Sequence, residues 1–532
     1  MAAAETWTVV GLLSNTSLYL VLATVALVAY IIYTKLSDDE SWEKYGVKQV
    51  SMRFTDFRTA CTDLINEHGD TVGVKRFKLQ LISRDLDILK HVMVKDFNNF
   101  VDRITVLNTN SLINKGLFFL QGDDWRRVRH VLSPSFSSGK LKHISKTIDE
   151  TAAKLANALE DCAKANKNVA IKHLTGQFTS EIIAKTAFGL HTDCLGGEDD
   201  EFTQRCKNLL KSRGTLMSKL TLVLFRFPWL HRFLVLKLKI ALFDSVNPDS
   251  SEYLTSLLHR TLAEREEYER SEGRKPTDLL QSLVSAKTAG DREEAAAAAT
   301  TKGTDGGPKA DPSDRIPKTM TRDELIGQSI LIIFAGFETT ATTLQFCLYL
   351  LAKHPDIQEK LYQEIQTVVS GEYPTLEELG QLHYLEQVIN ETLRLFPPAP
   401  IMTRQAAETK TYGQVTIPKG AAVIIPIFLV LKDPKHFPDP EKFDPDRFTE
   451  ENKATRDNMA FMPFGYGPRL CLGMRLAYLE LKLALVHVLR KVTFELNDTT
   501  VPKLGEDMQI KRGAPLLTPV DPVQLSVRQR HP

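Results

Sequence analysis

Hydrophobic patterning divides the chain into three stretches. Thr6 to Thr34 carries no charged residue, and Leu18 to Tyr33 is almost wholly apolar. A span needs about 20 predominantly apolar residues, and Trp7, Tyr30 and Tyr33 suit the two interfaces. Glu5 before the segment and Lys35 after it place the rest of the chain on the cytosolic side. The segment lacks the basic start and small-residue cleavage site of a signal peptide, and no arginine precedes Arg53, as a mitochondrial presequence would require. It is therefore expected to be an uncleaved anchor (1–34), followed by a polar tether (35–50) and a catalytic body (51–532). Thr71 to Ile82 alternates at Val72, Val74, Phe77, Leu79 and Leu81, which predicts a strand pair. From Asp85 to Val488 most segments read as helices. Strand-like material returns at Tyr412–Phe428 and Pro519–Val527. The fold class is mainly α with small β-sheets.

Two stretches depart from this pattern. Residues 286–318 are a low-complexity insert of alanine followed by Gly, Thr, Asp, Pro and Lys, expected to be a surface linker. Thr215–Leu242 mixes Leu, Phe and Val with scattered Lys and Arg. It reads equally as core-facing helices or as a membrane-dipping surface.

The 532 residues carry 67 basic and 66 acidic side chains, for a formal net charge of +1. No basic excess points to nucleic acid. Cys61, Cys162, Cys194, Cys206, Cys347 and Cys471 form no C-x-x-C pair and no zinc spacing, which suggests a reducing compartment.

Cys471 stands out. It closes the run Phe464-Gly465-Tyr466-Gly467-Pro468-Arg469-Leu470-Cys471-Leu472-Gly473, ahead of an apolar stretch from Met474 to Val488. Backbone N–H groups at the mouth of a helix favour a thiolate. A thiolate held there is a good axial ligand for haem iron, although a lone free cysteine is more often a small buried hydrophobe. A second run lies in a long apolar helix that follows the capping-box signature Thr321-Arg322-Asp323-Glu324 and stops before Pro355. This run, Phe334-Ala335-Gly336-Phe337-Glu338-Thr339-Thr340, places a glycine, an acid and hydroxyls in an apolar helix. A mid-helix glycine costs about 1 kcal/mol against alanine, and close approach of a flat ligand is one reason for it. On spacing alone, the favoured reading is that Thr339 bonds back to a helix carbonyl and Glu338 meets a lysine. The other reading is a relay delivering protons through water in an oxygen-activating site.

The Phe464–Gly473 run, F-x-x-G-x-R-x-C-x-G, resembles the haem-binding loop of the cytochrome P-450 superfamily, and the resemblance covers nearly all of the chain after the anchor. It implies haem b with the Cys471 thiolate as axial ligand, held between a long distal helix and the cysteine-loop helix. The run from Ala335 to Thr340 fits the family's A-G-x-E-T-T pattern. That fit makes Thr339 the oxygen-site alcohol and Glu338 the acid, with Ala335 and Gly336 over the haem and Phe337 nearby. Glu391-Thr392-Leu393-Arg394 with Arg447 looks like the E-x-x-R and P-E-R-F triad, with Asp446 in place of Glu; its role is structural. Trp125 and Arg129 match W-x-x-x-R. With Arg103, Arg404, Arg469 and Phe464 they are the implied haem contacts.

Trp125 to Lys142 is similar to the microsomal branch of broad-specificity drug and steroid hydroxylases, with thromboxane synthase in the same neighbourhood. The implied reaction inserts one atom of O₂ into an apolar small molecule. Electrons come from NADPH through a diflavin reductase, with cytochrome b5 as a further donor, at the cytosolic side of the endoplasmic reticulum membrane. Arg126, Arg127, Lys140 and Lys142 are candidates for a basic partner face, or equally for a solvated one. Substrate contacts are expected in Leu107–Phe119 and at Phe337, Ala399, Ile401, Met402 and Leu516. The rival readings are a peroxide isomerase needing no reductase and a non-enzymatic haem binder; the intact Glu338-Thr339 pair favours monooxygenation. Two features depart from the branch. No proline precedes Pro134, so its proline-rich hinge is missing, and the 286–318 insert is longer than usual.

Overall fold

The computed structural model describes Thr24 and residues 41–52, 56–75, 78–104, 112–190, 192–195, 197–209, 247–272, 278–281, 283–285 and 319–530. The anchor apart from Thr24, the 286–318 insert and Thr215–Leu242 lie outside the described residues.

Helices dominate. Those that position the site are α1 (Phe57–His68), α2 (Gly122–Leu132), α3 (Ser138–Lys164), α4 (Ile171–Phe188), α5 (Arg322–Lys353), α6 (Pro355–Val368), α7 (His383–Leu395) and α8 (Met474–Lys491). The capping box at the start of α5 forms as its sequence predicts. Thr321 Oγ1 accepts from Glu324 N at 3.1 Å, and the Glu324 carboxylate accepts from Thr321 N at 2.8 Å. α5 is also long and apolar enough to cross a membrane, yet Thr340 to Ala352 is buried without a break. It packs against α4 and α8, and its Leu344, Leu348 and Leu351 share the main core with Phe178 and Ile182 of α4 and Leu485 of α8.

Among the described residues ten strands complete the fold: β1 (Gln49–Val50), β2 (Thr71–Lys75), β3 (Leu79–Ser83), β4 (Val169–Ala170), β5 (Met402–Gln405), β6 (Lys410–Tyr412), β7 (Val415–Ile417), β8 (Ala422–Ile425), β9 (Val492–Glu495) and β10 (Gln524–Gln529). The largest sheet runs β1-β2-β3-β8-β5. β2 and β3 pair antiparallel, as their alternation predicts, with Val72 opposite Ile82. β5 pairs antiparallel with β8, setting Arg404 opposite Val423. β10 joins β9 and β4 in a second sheet, and β6-β7 is a separate hairpin.

The tether boundary is corrected. Trp42 is fully buried, its indole N–H donating to Val74 O at 3.2 Å, and β1 pairs parallel with β2. Residues from Trp42 onward therefore belong to the folded body. Gly73 makes room for that indole, because a Cβ there would stand 2.3 Å from Trp42 Cγ.

Candidate functional site

Cys471 sits in a loop shaped by two glycines with left-handed φ, Gly465 at 77° and Gly467 at 70°. Both are required by close contacts as well as by conformation. A Cβ on Gly467 would stand 2.0 Å from Met93 O, and one on Gly465 would stand 2.6 Å from Met402 Cε. Cys471 N donates to Phe464 O at 2.9 Å. The Phe464 ring lies 5.4 Å from Tyr478 on α8. The sulfur accepts from the backbone N–H groups of Gly473 and Met474 at the mouth of α8. Burial pushes the thiol's pKa up, while those N–H groups and the guanidiniums of Arg129 and Arg103 pull it down; burial wins in the metal-free chain. Ligation of a metal cation would deprotonate the thiol outright.

Cys471 is enclosed by protein yet keeps accessible surface, as does Ala335 on α5. Both facts hold if each faces an interior space.

Four arginines from separate segments form one cationic cluster. They are Arg103, Arg129 on α2, Arg404 on β5 and Arg469 of the cysteine loop. Burial pulls Arg103 down to about 10 and Arg469 to about 9, and Arg404 falls well below its ordinary value. In each case a neighbouring arginine adds to the effect. A guanidinium does not deprotonate in a protein, so these shifts measure an unmet demand for anions. Arg103 Nε, Arg404 Nε and Nη2, and Arg469 Nε are buried without a hydrogen-bond partner among the described residues. Arg404 is fully buried and makes a side-chain bond only from Nη1, to Thr403 O at 2.9 Å. Buried donors left unpaired are rare in folded proteins. Two carboxylates beside a metal-ligating thiol would satisfy them, which is what the propionates and iron of haem present. The residues fit the group.

Trp125 contributes differently from the arginines. Its buried ring lies under the Arg469 guanidinium at 4.5 Å and edge-on to Phe97 at 5.4 Å. It supports the cluster through cation–π contact.

On α5, positions advance about 100° per residue. Ala335, Glu338 and Thr339 therefore share a face, and Phe337 points the other way. The structure accordingly corrects one expectation. Phe337 is 3 % exposed in the core beside α4, near Gly176, and away from the face of Ala335. Gly336 lies close to α4, where an added Cβ would stand 3.1 Å from Ile183 Cδ1. The favoured spacing-based contacts are also present. Thr339 Oγ1 donates to Ala335 O at 2.6 Å, and the Glu338 carboxylate pairs with Lys172 of α4 at 3.0 Å. Lys172 also donates to Thr342 Oγ1 at 2.6 Å and to Glu338 O at 3.2 Å. Nothing in the sequence marks Lys172, which lies 166 residues from its partner.

Among the remaining substrate candidates, residues 107–111 lie outside the described residues. Ala399 is exposed and Leu516 half-buried. Ile401 packs with the cluster under α1, and Met402 reaches Gly465 of the cysteine loop. Arg127 is removed from the partner face. Its guanidinium, 12 % exposed, pairs with Glu324 of the α5 cap and donates to Thr319 O at 2.6 Å. Lys140 and Lys142 are exposed.

The structural triad forms as expected. Arg394 meets Glu391 through Nε–Oε2 at 2.7 Å and Nη2–Oε1 at 2.8 Å, both side chains being fully buried. Arg394 also donates to the carbonyls of Leu431, Pro440 and Lys442. Arg447 stands 3.5 Å from Glu391. Asp446 points outward to Lys360 at 3.2 Å, so its exchange for Glu leaves the lock untouched. Glu480 is a further buried acid, on the packed face of α8. It is bonded to Thr340, and burial pushes it up to about 8. Its signal was present in the sequence, a lone acid among Leu476, Leu479 and Leu483.

The family model "Cytochrome P450" matches residues 46–526. Over 448 residues the chain is 33% identical to Cytochrome P450 3A14 of Cavia porcellus, covering 84% of this chain and 81% of that protein. Cytochrome P450 3A41 of Mus musculus is 33% identical over 468 residues, covering 87% and 86%. Probable cytochrome P450 6a14 of Drosophila melanogaster is 34% identical over 468 residues, covering 85% of each chain.

Proposed function

The chain belongs to the cytochrome P450 family and is a haem-thiolate monooxygenase, and on that premise we propose that it oxidises apolar small molecules such as xenobiotics, steroids or lipids, with electrons from NADPH. The observation that carries this reading is Cys471 at the mouth of α8 beside four arginines, three of which have buried donors with no partner among the described residues. Haem, when bound, would supply oxygen activation, and Cys471 would ligate its iron and lend it electron density. Arg103, Arg129, Arg404 and Arg469 would hold its carboxylates, with Trp125 supporting Arg469. Phe464 fixes the backbone of Cys471.

Protons are the task of Glu338 and Thr339. The hydroxyl of Thr339 donates to Ala335 O, which leaves its oxygen free to accept a proton-bearing partner from the site. The Glu338 carboxylate is held by Lys172, and exchange between that partner and water delivers protons along the shared face of α5. Ala399, Ile401, Met402 and Leu516 form the substrate wall, an apolar lining that selects by shape.

A diflavin reductase delivers the electrons, with cytochrome b5 as a second donor, at a face that includes Lys140 and Lys142. Residues 1–34 anchor the chain in the endoplasmic reticulum membrane with the catalytic body in the cytosol. The carbon-monoxide difference spectrum of the reduced protein tests this reading. Wild type gives the long-wavelength thiolate band and Cys471→Ala does not. Survival of the band in Cys471→Ala removes the assignment. NADPH consumption with reductase and product then separates monooxygenation from peroxide isomerisation.

A further inference from the structure

The hairpin 509–520 is closed by Lys511 N to Thr518 O and Val520 N to Gln509 O, each 2.8 Å, with Ile510 bridged to Pro519. One side of it is tied to the substrate wall, where Leu517 N donates to Pro398 O at 2.9 Å beside Ala399. The other side is tied to the start of α1, more than 450 residues earlier. Gly513 N donates to Asp56 Oδ1 at 2.5 Å, and Arg58 Nη2 donates to Lys511 O. Both side chains are largely buried, 7 % exposed for Asp56 and 13 % for Arg58, although Lys511, Arg512 and Gly513 are exposed. Burial would raise the Asp56 carboxyl, but the N–H groups of Thr59 and Gly513, with Arg58, hold it below its ordinary value.

Asp56 also caps α1, accepting from Thr59 N at 3.2 Å. Capping alone needs only one acceptor, and serine serves as well as aspartate. Neither the second bond nor the arginine is needed for the helix. What they hold is an exposed turn with φ +72° at Gly513.

We infer that Asp56 and Arg58 are positioning residues for the substrate site: by clamping the outer side of the hairpin to α1, they fix where Leu516 stands relative to Ala399. The inference rests on the proposed reading of Leu516 and Ala399 as substrate wall. It is specific to the outer rim, so a ligand confined to the metal does not feel it, whereas a ligand long enough to reach the hairpin does.

The test uses the full-length holoprotein with two probes, imidazole and 1-dodecylimidazole, each titrated by Soret shift. Asp56→Ser keeps the α1 cap but is too short to reach Gly513 as well. Arg58→Ala leaves the cap alone, and Asp56→Asn, with a single acceptor oxygen, can keep the cap only by giving up the bond from Gly513 N. The expected result is unchanged imidazole affinity in all three variants. 1-Dodecylimidazole should bind about tenfold more weakly in all three. Unchanged affinity for the long probe overturns the inference. So does equal weakening of both probes, which would mark general damage. Failure of the underlying functional reading is read separately, as absence of the thiolate band in wild type.

Discussion

Glu480→Gln changes one atom in the most enclosed acid of α8, and its effect on stability depends on pH. The carboxyl rises from the ordinary 4.5 to about 8 because burial penalises its charge, with the Thr340 hydroxyl opposing. The folded state therefore holds a proton that the unfolded chain releases. Stability from this group is fully present below 4.5, is lost as pH climbs, and levels off above 8. The full difference amounts to about 5 kcal/mol at 1.36 kcal/mol per tenfold change in proton affinity. From about pH 6 to about pH 7.5 the unfolded carboxyl is ionised and the folded one mostly neutral, so wild type loses about 2 kcal/mol. For a chain of this size that is roughly 2 °C in the thermal midpoint. Glutamine keeps the shape and the hydrogen bond but does not titrate. Midpoints followed by loss of the carbon-monoxide band, at one heating rate, should show the variant gaining on wild type by that amount across this interval. A difference between the two proteins that stays flat with pH would mean that Glu480 is ionised in the fold, and the reasoning fails.

Thr339→Ala is expected to keep the thiolate band while diverting NADPH consumption from product to peroxide and water; unchanged coupling removes the relay. Lys172→Met leaves the half-buried Glu338 without its cation, so both the thermal midpoint and the coupling ratio should fall, by ~1–3 kcal/mol in stability. Lys172→Arg should restore both. Glu391→Gln strands the fully buried Arg394, a loss of about 3–5 kcal/mol; the yield of band-forming protein per cell should collapse, and normal yield contradicts the lock.

The site was legible where chemistry and spacing are local. The Cys471 loop, the α5 capping box and the Glu391–Arg394 pair each lie within a turn or a short loop, and all three form as expected. Phe337 was misread because neighbouring letters in a motif point to different sides of a helix. At 200° from Ala335, Phe337 belongs to the α4 interface. Lys172 and the Asp56 clamp were not legible, since each meets a partner far away in sequence with no repeating signal. β1 and β5 were missed for a different reason: strands of two and four residues carry too few positions for alternation to show. The same brevity hid Trp42, an aromatic in a polar stretch whose slot is made by Gly73.

The four-arginine cluster also bears on how the protein is supplied in a cell. Its members come from a loop, α2, β5 and the cysteine loop, so the charges are brought together only when the whole body closes. Until haem carboxylates arrive, closure presses like charges together in a dry place, and binding of the cofactor is itself folding free energy. Chains made while haem is scarce should open at these four seams and be cleared by proteases. Abundance of the enzyme would then follow the cell's haem supply without any dedicated sensor.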